Sequence, residues 1–194
     1  MFTRLMTYHQ VMPSYLDFIN VFGFHAHVRE PRFSGFREQM ILVKNTKLEV
    51  SSLGRTGQQF QLCWNLKAPG QWSEEATLQP GPVKWSIRQG AFHHQFDLIE
   101  GTTLWIVTKP GLDIKERIQD VTGKEGNEED RQFTTAEQCF KSTFAVHLLI
   151  CHWATEKWRP YMQWLEDRVE DKVCEIPRCS ITLLLTRFCR RHSF

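Results

Sequence analysis

TTAEQCFKSTFAVHLLICHWATEKWRPYMQWLEDRVEDK, residues 134–172, carries the strongest periodic signal in the chain. Thr134-Thr135-Ala136-Glu137 has the form of a capping box, in which a hydroxyl and a carboxylate satisfy orphan N–H groups at a helix start. Phe140, Phe144, Leu148, Cys151, Thr155, Trp158, Met162, Leu165 and Val169 then recur every three or four residues, the spacing that lines one helix face. The pattern predicts one amphipathic helix over 134–172. Pro160 falls inside it and removes a backbone donor, at a cost of about 3 kcal/mol in a helix interior, which predicts a kink near Thr155–Glu156. Because the stripe resumes in phase beyond the proline, a bent helix is expected over two separate ones.

Upstream, residues 83–108 (VKWSIRQGAFHHQFDLIEGTTLWIVT) read as strands. Val83, Trp85 and Ile87 alternate with Lys84, Ser86 and Arg88; Gln89-Gly90 is expected to turn the chain, and Phe92–Leu98 to continue it. Glu100-Gly101-Thr102 then turns into Thr103–Thr108, completing an antiparallel meander. Met40–Val43 and Phe60–Trp64 supply two further strands, separated by Gly54 and Gly57. Residues 68–82, rich in Pro and Gly, predict a long exposed connection. Toward the N-terminus, residues 13–22 place Leu16 and Ile19 at helical spacing before Gly23, and residues 23–36 read as a loop pinned by Phe33 and Phe36. After the break at Pro110-Gly111, Asp113 is expected to cap a short helix with Ile114, Ile118 and Val121, ending at Gly123. Residues 123–132 read as a polar, flexible loop, and Ile176-Pro177 is expected to end the long helix. The fold class is therefore α/β (α+β): a mixed sheet with flanking helices and one long C-terminal amphipathic helix. One domain spans 1–172, and 173–194 is an aperiodic basic tail.

The bulk numbers narrow the function classes. At 194 residues and 41% hydrophobic content the chain can bury a sizeable core. A net charge of +2 gives no field that would imply a nucleic-acid partner. The six cysteines include no C-x-x-C pair, as expected of thiols in a reducing compartment. The N-terminus lacks the apolar run of a secretory signal. No stretch reaches the roughly 18 apolar residues of a membrane span. Together these predict a cytoplasmic chain without a transmembrane segment.

Each chemical constellation has a bland counterpart. On a strand His93 and Asp97 share a side, but they lie about 13 Å apart by strand rise, too far for one ion, and His94 faces the opposite way. His25 and His27 would need a third ligand from elsewhere. His147 and His152, about 140° apart around a helix, do not share a metal; one is expected to be buried and the other interfacial. Glu125, Glu128, Glu129 and Asp130 offer hard oxygens suited to magnesium or calcium, without the ordered spacing of a dedicated cation loop. Glu166, Asp167, Glu170 and Asp171 lie near the expected helix C-terminus, where the macrodipole disfavours negative charge unless a cation or a neighbouring subunit compensates. Trp153, Trp158 and Trp164 exceed what an exposed helix normally carries, and with Glu166 and Asp167 they mark a candidate interface for self-association or another subunit. No phosphate loop, nucleophile elbow, dinucleotide fingerprint or H-E-x-x-H is present, and no base is placed beside Ser86, Cys63 or Cys151, so the chain is not read as an enzyme.

Several ungapped strings resemble a known family. They are WSIRQGAFHHQFDLIEGTTLWIVTKPGLDIKERI (85–118), Phe144–Leu148, Trp153–Tyr161, and, nearer the N-terminus, Tyr8–Pro13 through Phe22-Gly23 and Phe33–Arg37. These resemble the fungal CorA-like transporter-domain family over about residues 1–172. The resemblance implies a soluble α/β domain leading into a long stalk helix, which in CorA-type channels precedes two transmembrane helices and a Gly-Met-Asn pore motif. This chain has no Gly-Met-Asn, so no pore residue carries over. The expectation is a cytosolic regulatory or sensor domain related to magnesium transporters, not competent for transport by itself, with magnesium contacts through acidic side chains. The alternative is a stand-alone interaction module using the face of helix 134–172.

Overall fold

Side-chain alternation along two fourteen-residue strands builds the centre of the protein. The computed structural model describes residues 2–22, 35–72, 84–108, 112–124, 126 and 133–189. They fall into two units, Met1–Thr155 and Glu156–Phe194. In the first, β1 (Phe36–Ile41), β2 (Gln59–Trp72), β3 (Lys84–Asp97) and β4 (Thr103–Thr108) form one sheet in sequence order. Every pairing is antiparallel, so the sheet is a meander rather than mixed.

The register sorts the side chains. Gln59, Gln61 and Cys63 oppose Asp97, Gln95 and His93 on one face, while Phe60, Leu62 and Trp64 oppose Phe96, His94 and Phe92 on the other. The first face is covered by α1 (Phe2–Tyr8) and α2 (Tyr15–Asn20), whose Met6, Tyr15 and Phe18 pack with Val11, Met12, Cys63 and Ala91. The second is covered by α3 (Leu112–Thr122) and α4 (Ala136–Thr155), whose Ile114, Val146, Ile150 and Trp153 pack on Phe92 and Ala68. Each fully buried large apolar side chain contributes about 1.5–3 kcal/mol.

Both long strands run through residues that the sequence reads as breakers. Pro69 opposes Ile87 within β2, so 68–72 is strand and not exposed connection. β1 reaches only as far as Trp64, so from there β2 is an edge strand among the described residues, and an edge tolerates a missing N–H. Gly90 opposes Leu66 inside β3 and makes no turn there. The turn falls at Leu98–Glu100, two residues before the expected Glu100-Gly101-Thr102, and Gly101 after it has φ +72°, the left-handed conformation glycine adopts without strain. α2 buries Tyr15 and Phe18 and leaves Leu16 exposed, one position out of phase with the expected stripe.

α4 shows the same offset. Its capping box is Thr135 with Gln138: the Thr135 Oγ1 accepts from the Gln138 N–H, and the Gln138 side chain accepts from the Thr135 N–H, both at 3.2 Å. The buried row is Cys139, Ser142, Thr143, Val146, Ile150, Trp153 and Ala154. Phe140, Phe144, Leu148 and Cys151, expected to face the sheet, form the solvent side; Leu148 is 55% exposed. The small side chains of Ser142 and Thr143 lie on the sheet-facing side despite their polarity, and hydropathy spacing weights the phenylalanines instead. Phe140 still touches the sheet, its ring 5.6 Å from Phe96.

The second unit is α5 (Trp158–Cys189). The helical run is interrupted at Glu156–Lys157, beside the expected kink. Pro160 thereby sits in the first turn of α5, where a missing N–H leaves nothing unpaired. The helix does not end at Ile176-Pro177: its backbone continues to Cys189, so most of the expected aperiodic tail is helical. Glu166, Asp167, Glu170 and Asp171 consequently lie mid-helix, and the macrodipole argument for a compensating cation lapses. Tyr161 stacks on Trp164 with centroids 6.0 Å apart, and the Arg168 guanidinium lies 5.5 Å from the Trp164 ring centroid.

Candidate functional site

Residues that alternate with aromatics along β2 and β3 would ordinarily face water, yet here the N-terminal helices cover them, leaving a buried polar layer. Gln59, Gln61, His93, Gln95 and Asp97 are all buried. The Gln61 amide oxygen accepts from the Met12 N–H at 2.8 Å, and its nitrogen donates to the Gln10 carbonyl at 3.1 Å, pinning the segment between α1 and α2. With that oxygen an acceptor, the His93 contact at 3.1 Å must be an Nε2–H donation, which leaves Nδ1 a bare, unpartnered acceptor. Burial, with Arg55 adding to it, holds the His93 imidazole down at about 4, so it stays neutral. Tyr15 fixes the other end of the layer, its hydroxyl 3.0 Å from Thr108 Oγ1 and within 3.4 Å of the Ala91 carbonyl. Burial pushes that phenol up to about 12.

At the end of the sheet beside the β3–β4 turn the layer opens into a cleft of about 140 Å³ lined by His9, Leu53, Arg55, Gln95, Asp97, Thr102, Thr103 and Leu104. Asp97, 1% exposed, accepts from the N–H groups of Thr56, Ile99 and Glu100 and from the Thr56 hydroxyl. Arg55, 6% exposed, donates from Nη1 to the His9 carbonyl. Burial lowers the Arg55 pKa, and the Asp97 charge works against that shift. Gln95, 2% exposed, donates to Gln59 at 2.7 Å while its own amide oxygen has no partner; His9 Nδ1 is likewise unpartnered.

On the opposite face His94 and His147 meet, His147 Nε2 standing 3.0 Å from His94 Nδ1. The direction of this contact follows from its neighbours. Thr103 Oγ1 donates to the Gln95 carbonyl and so accepts from His94 Nε2–H at 3.1 Å; His94 Nδ1 is then an acceptor, and His147 Nε2–H donates to it. Trp105 stacks on His94 at 4.3 Å, and Trp64 stacks on His147 at 5.1 Å. Burial, then His147, then His93 hold His94 down to about 2, and burial holds His147 down to about 4.

The structure keeps His93 and Asp97 on one face and His94 on the other, as strand geometry predicts. The His94–His147 pair was not visible in sequence, because it joins a strand to a helix 53 residues away. His152 is exposed. Glu125, Glu128, Glu129 and Asp130, like His25 and His27, lie outside the described residues. Among the described residues no group of three or more His, Cys, Asp or Glu side chains is placed to hold a metal ion. Trp153 is corrected from interface to core: it is 3% exposed and sits 6.1 Å from the Phe92 ring, ring centre to ring centre. Trp158 is exposed and Trp164 half-buried on α5, and Glu166 and Asp167 are exposed.

The model of one protein family, CorA-like transporters, matches residues 1–176. No curated protein and no solved structure matches the chain.

Proposed function

Since the chain belongs to the family of CorA-like transporters, we propose that it is a cytosolic regulatory or sensor domain of that family, with no transport activity of its own. The observation that carries this reading is the match over 1–176 to a transporter family by a chain in which, among the described residues, no helix is long and apolar enough to cross a membrane. A sheet covered on both faces, followed by the α5 helix, supports it. The ligand would be magnesium, met by Glu125, Glu128, Glu129 and Asp130, whose carboxylates are hard donors that suit it. Calorimetric titration with magnesium, cobalt and nickel tests this. Heat and a thermal shift at millimolar magnesium, both lost when the four acids become amides, are expected; neither signal at millimolar metal removes the sensing role.

A second reading is favoured by the exposed row Phe140, Phe144 and Leu148 on α4 and by exposed Trp158, Met162, Val169 and Val173 on α5. Apolar rows of this kind fit an interaction module binding a second copy or another subunit. Light scattering separates the two: a metal-independent oligomer favours the module and a metal-dependent one the sensor.

A further inference from the structure

We propose that the cleft around Arg55 binds a small carboxylate carrying a hydrogen-bond donor, such as a 2-hydroxy acid. The proposal is independent of metal sensing and starts from an imbalance at Arg55. A guanidinium has five N–H donors, and among the described residues one of them meets a protein acceptor, the His9 carbonyl, although the side chain is 6% exposed. A buried cation ordinarily has a paired anion. Asp97 is near enough to influence Arg55, but its oxygens are committed to Thr56, Ile99 and Glu100. Among the described residues no carboxylate pairs with the remaining N–H groups, which stay within reach of solvent at the cleft that Arg55 lines, and the guanidinium fork matches a carboxylate two-pronged.

The rest of the lining sets the ligand's second group. With its nitrogen given to Gln59, the amide oxygen of Gln95 has no partner among the described residues and can accept from a hydroxyl beside the carboxylate. His9 Nδ1 can serve the same group; burial and then Arg55 lower its pKa, so it enters as a neutral ring. Leu53, Leu104 and the two threonines leave room in about 140 Å³ for a short carbon chain. The fixed negative charge of Asp97 at the wall disfavours a doubly charged phosphate, which separates this site from a general anion hole.

The test is calorimetry and thermal unfolding of the full chain with sodium lactate, propionate, inorganic phosphate and chloride at equal ionic strength. Lactate is expected to bind and raise the midpoint above chloride, with propionate at least threefold weaker and phosphate indistinguishable from chloride. Arg55→Gln should abolish binding, but it also removes the tie to His9 and can unfold the N-terminal helices. Gln95→Glu is the second variant: nearly the same shape, able to accept from the otherwise unpartnered Gln59 Nε2 once the Gln59 amide turns over, and now repelling a carboxylate. It should retain the native circular dichroism and lose lactate affinity at least tenfold. Equal shifts with lactate and chloride, tighter binding of phosphate, or undiminished lactate binding in folded Gln95→Glu would each overturn the proposal.

Discussion

His147 Nε2 donates to His94 Nδ1 across 3.0 Å, so a helix and a strand 53 residues apart in sequence are joined by two neutral imidazoles. Neutrality is a requirement of this contact, since a protonated His94 would turn a donor toward a donor and place a charge beneath Trp105.

Acid should therefore destabilise the protein well before its carboxylates titrate. The folded-state pKa values of His93 and His147 are lowered to about 4 and that of His94 to about 2, all below the 6.5 of an unfolded chain. The unfolded state thus binds more protons below pH 6.5, and stability falls as pH drops through that value. The loss continues to about pH 4 for His93 and His147 and to about pH 2 for His94. Fully buried His93 and His94 each contribute a slope of roughly 1.4 kcal/mol per pH unit inside that window, with a smaller share from half-buried His147. Urea unfolding at pH 7.5, 6.5 and 5.5 measures it; equal midpoints at 7.5 and 5.5 would show that the imidazoles are not buried neutral.

His147→Leu should lower stability by about 1–3 kcal/mol at pH 7.5, because it leaves the His94 Nδ1 acceptor buried without a donor. The substitution also removes a basic group, so its pH dependence between 7.5 and 5.5 should be shallower than in the parent chain. A variant as stable as the parent at pH 7.5 would mean that the contact contributes nothing net.

The phase of α4 can be read by paired truncations. Ile150→Ala, in the buried row, should cost about 2–5 kcal/mol, whereas Leu148→Ala, on the solvent side, should cost under about 1 kcal/mol. Chemical denaturation of both decides the phase. The reverse ranking would restore the row that hydropathy spacing selects.

That offset shows what was legible in the sequence and what was not. Helix and strand type followed from period: β4 lies at Thr103–Thr108 and a helix surrounds Ile114 and Ile118, as local pattern alone predicts. Facing did not follow, because it depends on what covers each element. Gln59, Gln61 and Gln95 are polar side chains that become buried because α1 and α2 lie over them, and Ser142 and Thr143 are buried because their side of the helix lies on the sheet. Breaker residues misled for a related reason. Pro69 and Gly90 end strands on local grounds, but a long antiparallel pairing partner holds both in the ladder. The cleft was invisible because Arg55, Gln95 and His9 are brought together by pairing and packing, with no spacing that a motif could record.

Asp97 should be the most sensitive single polar position. Its carboxylate accepts the N–H groups of Thr56, Ile99 and Glu100 and the Thr56 hydroxyl, so one side chain ties the segment before β2 to the turn that launches β4. Removing it strands three backbone donors, each costing about 1–3 kcal/mol when buried without a partner, although water reaching the turn will recover part of that. Asp97→Ala is therefore expected to lose about 3 kcal/mol or more. Asp97→Asn can keep one oxygen for the Ile99 and Glu100 N–H groups, but its amide nitrogen would face the Thr56 N–H, so an intermediate loss is expected. Equilibrium denaturation of the two variants gives the order. If Asn and Ala prove equally damaging, the bonds to Thr56 dominate the clamp; if both are harmless, Asp97 does not hold the turn.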